Sequence, residues 1–253
     1  MPQPIPPGFT LGIVEPEEAV AAFARRSLIE VSFSWLDLWN EEHARAFTVS
    51  RLTEERLLEF IRDELAKAVK EGTRFEDWAK VVRPRLEEAG WWGTREVIER
   101  PGTEPVSTTF DPQRLALIFQ VNTRQSYAAG RWARIERSKD TLPLVIYNTM
   151  RDERVRASHR PWDGLALPVD HPFWQTHFPP NGWRCRCTAY ATDEEGLNRL
   201  RKAGLPVKTE APPERWVPFV NKRTGEISQV PYGVDPGFGY NPGQAGGGVP
   251  GRS

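Results

Sequence analysis

Between Thr53 and Gly72 the apolar residues Leu57, Leu58, Ile61, Leu65, Ala68 and Val69 recur at helical spacing, and near Thr141 that periodicity stops. Beyond this point come the β-like run LPLVIYNTM and frequent proline and glycine. A chain that changes period once, from helical turns to short strands, is neither a helical bundle nor a β-sandwich. It predicts an α+β fold: a mainly helical N-terminal half, a compact C-terminal unit of short strands and ordered loops, and a flexible Gly/Pro-rich tail.

The helical half divides further. Glu15-Pro16-Glu17-Glu18 reads as a helix start running to about Arg26, and Trp35, Leu36, Leu38 and Trp39 lead into EEHARAF, which reads as a second helix. Thr73 and Glu76 fit a capping box for a helix ending near Gly90, with Pro84 expected to kink or split it. Asp111-Pro112 opens the longest helix, along which Leu115, Ile118, Phe119, Trp132 and Ile135 lie. Asn122 is a polar oddity on that stripe, suited to anchoring a loop through its amide or to a boundary position. The segments expected are therefore a flexible arm over 1–14, a helical region over 15–92, a linker over 93–110 and the long helix with its motif domain over 111–192. An extension with a hairpin around Arg223-Thr224-Gly225 occupies 193–235, and a disordered tail 236–253.

Composition removes some functions. Thirty-four basic residues balance thirty-four acidic ones, so nothing drives the whole molecule onto nucleic acid. No apolar run reaches membrane-spanning length, and the first residues lack the pattern of a signal peptide, so no membrane partner and a cytosolic origin are expected.

Both cysteines sit in HFPPNGWRCRC, as Cys185 and Cys187. A disulfide across one residue would be badly strained. Three histidines precede the pair, His159, His171 and His177. Thiolate with imidazole suits zinc, and His159, His171, Cys185 and Cys187 form the candidate set, with structural zinc the one cofactor expected. A second reading stays open, in which the thiols are small buried residues and the histidines bond to backbone. On the period-2 rule, Cys185 and Cys187 face one way and Arg186 the other. A catalytic version of the site would make the chain a metal-dependent hydrolase or nuclease, but no P-loop, dinucleotide, HExxH or GxSxG pattern occurs. Arg151, Arg154, Arg156 and Arg160 form the densest basic run, able to contact phosphates or a partner's acidic surface, or else to form a solvated, salt-bridged surface.

Taken together, YNTMRDERVRASH, the DG of WDGL, DHPFW and PPNGWRCRC resemble the phage Mu F-like family of head morphogenesis proteins, as do EEHARAFTVSR, GWWG and NTRQSYAAGRW. The resemblance covers roughly residues 20 to 192. It implies a non-enzymatic minor capsid protein of a tailed phage or prophage, assembled in the host cytoplasm and retained in the virion inside the head near the portal. Its implied partners are the portal protein and other head proteins, with packaged DNA as an accessory partner. The matching positions are Asp152, Arg156, His159, Gly164, Trp174, Pro179, Pro180, Gly182, Cys185, Arg186 and Cys187, read as a structural motif.

Overall fold

The computed structural model describes residues 16–245. Six helices and nine short strands among these residues give the expected α+β architecture. Helix α1 (Pro16–Ala24) leads to the two-residue strand β1 (Leu28–Ile29), which pairs in parallel with β2 (Ala46–Phe47). Helices α2 (Glu55–Glu71) and α3 (Phe75–Glu88) follow. Leu57, Leu58, Ile61 and Leu65 of α2 are buried together with Trp78, Val82 and Leu86 of α3. Gly72 ends α2 at φ +66°, a left-handed cap that glycine adopts without strain, and its N–H and that of Thr73 both close on the Ala68 carbonyl.

Four local expectations change. The stretch from Trp35 to Ala44 is two 3₁₀ turns (Trp35–Asp37 and Asn40–Ala44), because Asp37 and Glu42 fold back to accept the N–H groups of Ser34 and Trp39 and close each turn early. Thr73 spends its N–H on closing α2, so α3 starts after Arg74 with no side-chain cap. One helix spans Pro84, held by the burial of Val82 and Leu86 on either side. The 93–110 stretch, expected as a linker, is an antiparallel hairpin of β3 (Gly93–Val97) and β4 (Val106–Phe110), whose Val97 and Phe110 reach the helical core.

Helix α4 (Pro112–Arg137) joins the two halves. Asp111 caps it by accepting from the Arg114 N–H at 2.7 Å. Its first turns bury Leu115 in the helical core, and its later turns bury Val121, Ala128, Trp132 and Ile135 in a second core. Asn122 earns its place on this helix: its amide oxygen accepts from the buried Arg26 at 2.8 Å, tying the end of α1 to α4. Glu18 of α1 adds ion pairs with Arg134 and Arg137.

The second core lies under a three-stranded antiparallel sheet in the order β6 (Ala166–Pro168), β5 (Leu144–Asn148), β7 (Thr188–Thr192). Alternation sorts β5: Val145 and Tyr147 face the core, while Ile146 faces Leu197 and Leu200 of α6 (Glu194–Lys202). Between β6 and β7 lies the short helix α5 (Phe173–His177). The hairpin β8 (Trp216–Val220) and β9 (Ile227–Pro231) closes around Arg223-Thr224-Gly225, as the sequence predicts.

Residues 236–245 pack against the body, contrary to the expected disordered tail. Phe238 and Tyr240 are buried, and Trp35 stacks between His43 (ring centroids 3.4 Å apart) and Phe238 (5.2 Å). The glycines here serve close approach: a Cβ on Gly243 would lie 2.3 Å from Trp132, and one on Gly237 2.4 Å from Trp35 Nε1. The rest of that tail, and the 1–14 arm, fall outside the described residues.

Candidate functional site: a Cys-His cluster in a salt-bridged motif

The loop from Asn181 to Cys187 is held from three sides. Arg186 makes a two-pronged ion pair with Asp152, at 2.7 and 2.8 Å. Arg156 makes another with Asp235, at 2.7 and 2.8 Å, and donates to the Trp183 carbonyl at 2.8 Å. Arg124, on α4, donates to the Cys185 carbonyl at 2.6 Å. Asp235 also accepts from the Trp183 N–H at 2.8 Å. The sequence offers no signal for Asp235, which lies 79 residues from Arg156. Gly182 belongs to the same contact, since a Cβ there would lie 2.2 Å from the Asp235 carboxylate.

The remaining motif residues build the floor. Gly164, at φ +76°, turns the chain where any Cβ would strike the Pro206 carbonyl at 2.0 Å. Trp174 is fully buried, and its indole N–H donates to the Pro168 carbonyl at 3.0 Å. Pro179 and Pro180 are buried and joined by a cis peptide bond. Asn181 accepts from the buried Tyr147 hydroxyl at 2.8 Å.

These supports place both thiols against His159. Cys185 Sγ lies 3.9 Å and Cys187 Sγ 3.6 Å from His159 Nδ1. Cys185 and His159 are buried and Cys187 partly so. Both sulfurs turn the same way and Arg186 the other, as the period-2 rule anticipates, although regular strand pairing begins only at Thr188. Hydrogen bonding from the Cys187 thiol holds Cys185 well below the usual thiol range despite its burial, and the negative sulfur so formed keeps the proton on Cys187. Beside the cluster opens a hollow of about 30 Å³, lined by both cysteines, His159, Met150 and arginines that include Arg154 and Arg184. Its lining contains no carboxylate that could serve as a general base.

His171 stands apart from this cluster. Its Nδ1 accepts the Phe173 N–H at 3.1 Å, at the start of α5, and it is not a member of the Cys-His group. His177 stacks on Phe173 with ring centroids 4.4 Å apart. Three of the four arginines proposed for phosphates are engaged within the chain: Arg151 with Asp163, Arg156 with Asp235, and Arg160 with the Val155 and Glu153 carbonyls. Arg154 is exposed at the rim of the hollow.

A consequence is measurable. Asp235→Ala strands the Arg156 guanidinium and the Trp183 N–H together, in a pair with side chains 35% and 26% exposed. It is expected to cost about 2–3 kcal/mol in urea unfolding, discounted for that exposure, with Asp235→Asn recovering part of it.

Comparison with known proteins gives this chain a family. The family model described as phage Mu protein F like protein matches residues 59–190, just over half of the chain. A putative capsid assembly protein F of Escherichia phage Mu is 35% identical over 249 residues, covering 91% of this chain and 54% of that protein. A Mu-like prophage FluMu F protein of Haemophilus influenzae is 32% identical over 230 residues, covering 86% of this chain and 54% of its own length. An uncharacterised protein of Methanocaldococcus jannaschii shares 53% identity over 45 residues, 17% of this chain and 7% of that protein. The chain thus spans about half the length of the two phage-type relatives. No solved structure matches. The match runs from within α2 to within β7 and takes in the long helix, the Arg186–Asp152 pair, Arg156 without its partner Asp235, and the Cys-His cluster, and it places the chain in the family of phage Mu F-like proteins.

Proposed function

We propose that this chain is a head-morphogenesis protein of a tailed phage or prophage, a minor capsid component that joins the portal and other head proteins during procapsid assembly and acts in DNA packaging or delivery. The observation that carries the reading is family membership, supported by one relative named a putative capsid assembly protein of phage Mu. The architecture suits it. Both halves share α4, and residues 236–245 return to cover Trp35 and Trp132, so the chain offers one braced body to its neighbours. The β8–β9 hairpin presents Trp216, Val220 and Ile227 to solvent, 45%, 51% and 68% exposed, an apolar face of the kind that binding partners cover. No helix among the described residues is long and apolar enough to cross a membrane.

Co-expression with the portal protein of the phage or prophage that encodes it tests the finer part. The two should co-purify at low and moderate salt, and Ile227→Asp should weaken the association while leaving the unfolding midpoint within a few degrees. Failure to associate at either salt contradicts the portal assignment. DNA contact is an accessory part of the reading, resting on Arg154 and Arg184 at the hollow. Its signature would be a steep fall of affinity with salt.

A further inference from the structure

We propose that His159 Nδ1, Cys185 Sγ and Cys187 Sγ bind one zinc ion, and that its fourth coordination position opens into the adjoining hollow, where it takes solvent or a small oxyanion. The inference stands independently of the assembly role.

Distances carry the first half. Zinc bonds of about 2.3 Å to sulfur and 2.0–2.1 Å to nitrogen, set tetrahedrally, separate sulfur from nitrogen by about 3.5 Å. The two sulfurs lie 3.6 and 3.9 Å from His159 Nδ1, and all three atoms fall within 4.8 Å of one another, so an ion enters with shifts of about an ångström or less. The imidazole is set in the right tautomer. His159 Nε2 lies 2.8 Å from the Gly233 carbonyl, and a carbonyl can only accept, so Nε2 carries the hydrogen and Nδ1 turns its lone pair to the sulfurs. A metal-binding histidine held through its other nitrogen by a backbone carbonyl is the usual outer arrangement of such centres. The ring is further fixed by stacking on Trp162, centroids 4.9 Å apart.

The second half follows from what surrounds the cluster. No further histidine, cysteine or carboxylate among the described residues joins the three. Structural zinc sites are closed by four protein ligands, whereas this one has three and borders a hollow of about 30 Å³, room for a coordinated water. Arg154, Arg156, Arg184 and Arg186 line that hollow; Arg156 and Arg186 are held in ion pairs with Asp235 and Asp152, and the charges of Arg154 and Arg184 at its exposed rim favour an oxyanion as the exchangeable ligand. Arg184 holds φ +58° on the loop between Trp183 and Cys185, a backbone state costly for a side chain of its size. The ion would bind the 185–187 loop to the turn at His159 and, through Gly233, to the C-terminal extension.

The test uses the full chain purified reduced. Elemental analysis should give one zinc per chain, and chelation should lower Tm by roughly 5–10 °C. Cobalt substitution should give an intense thiolate-to-metal charge-transfer band, halved or more in Cys187→Ser, a near-isosteric change at a partly buried position. Titrating inorganic phosphate into the cobalt form should shift the visible bands, and Arg184→Ala should weaken that response. A reduced, folded chain that takes up neither zinc nor cobalt stoichiometrically overturns the site. Full metal content in Cys187→Ser overturns the ligand set. A tetrahedral cobalt spectrum indifferent to phosphate overturns the open position.

Discussion

Trp174→Ala is expected to destabilise the protein by about 3–5 kcal/mol, the range for removing a fully buried large aromatic. Its indole fills the second core between Phe173 and Phe178, at centroid distances of 5.1 and 6.4 Å. Its N–H also satisfies the Pro168 carbonyl, and its own carbonyl accepts from the buried Asn241 at 3.1 Å. The truncation therefore opens a cavity and takes a donor from the Pro168 carbonyl, while the main-chain bond to Asn241 is kept. Trp174→Phe keeps most of the volume and loses the hydrogen bond, so about 1–2 kcal/mol is expected from it. Chemical denaturation of the three proteins checks both values, and a Trp174→Ala loss under 1 kcal/mol would contradict this packing.

The second large effect is acid lability. Burial holds His43 neutral down to about 3, with the Arg26 charge adding to it, and holds His177 neutral down to about 4, against an ordinary 6.5. As pH falls through 6.5 the unfolded chain takes up both protons and the folded chain takes up neither. Stability is thus full above 6.5 and falls as pH drops toward 4 and then 3. Each histidine accounts for up to about 1.4 kcal/mol per pH unit, so roughly 3–4 kcal/mol together is lost by pH 5. His43→Gln with His177→Gln should at least halve the slope of Tm against pH between 6.5 and 5. An unchanged slope would show that these rings are not the groups responsible.

Legibility in the sequence followed the range of the interaction. Helices α2 and α4 were readable because period and caps are local: Gly72 and Asp111 sit where their elements stop and start. The pairing of Cys185 and Cys187 against His159 was within reach because thiol and imidazole in one segment suggest a shared centre. His171 carried the same chemical suggestion, yet its ring nitrogen is spent on the Phe173 N–H, a local competition that composition does not reveal. Asp235 was invisible, being an ordinary carboxylate whose meaning comes from Arg156, far away in the chain. The tail misled for a physical reason. Gly237 and Gly243 look like flexibility, and in the fold their missing Cβ lets backbone lie against Trp35 and Trp132. The 93–110 stretch misled similarly, since its Thr-Pro-Glu-Gly composition is that of a hairpin turn between two short strands.

Central to the account is the proposal that this chain is a component of a phage head. Purified procapsids and DNA-filled heads of the phage or prophage that encodes it, separated by density and analysed by quantitative mass spectrometry, test that most directly. The chain should be present in both at few copies per particle, with its ratio to portal protein constant across the gradient. Its absence from procapsids and heads alike would contradict the assignment.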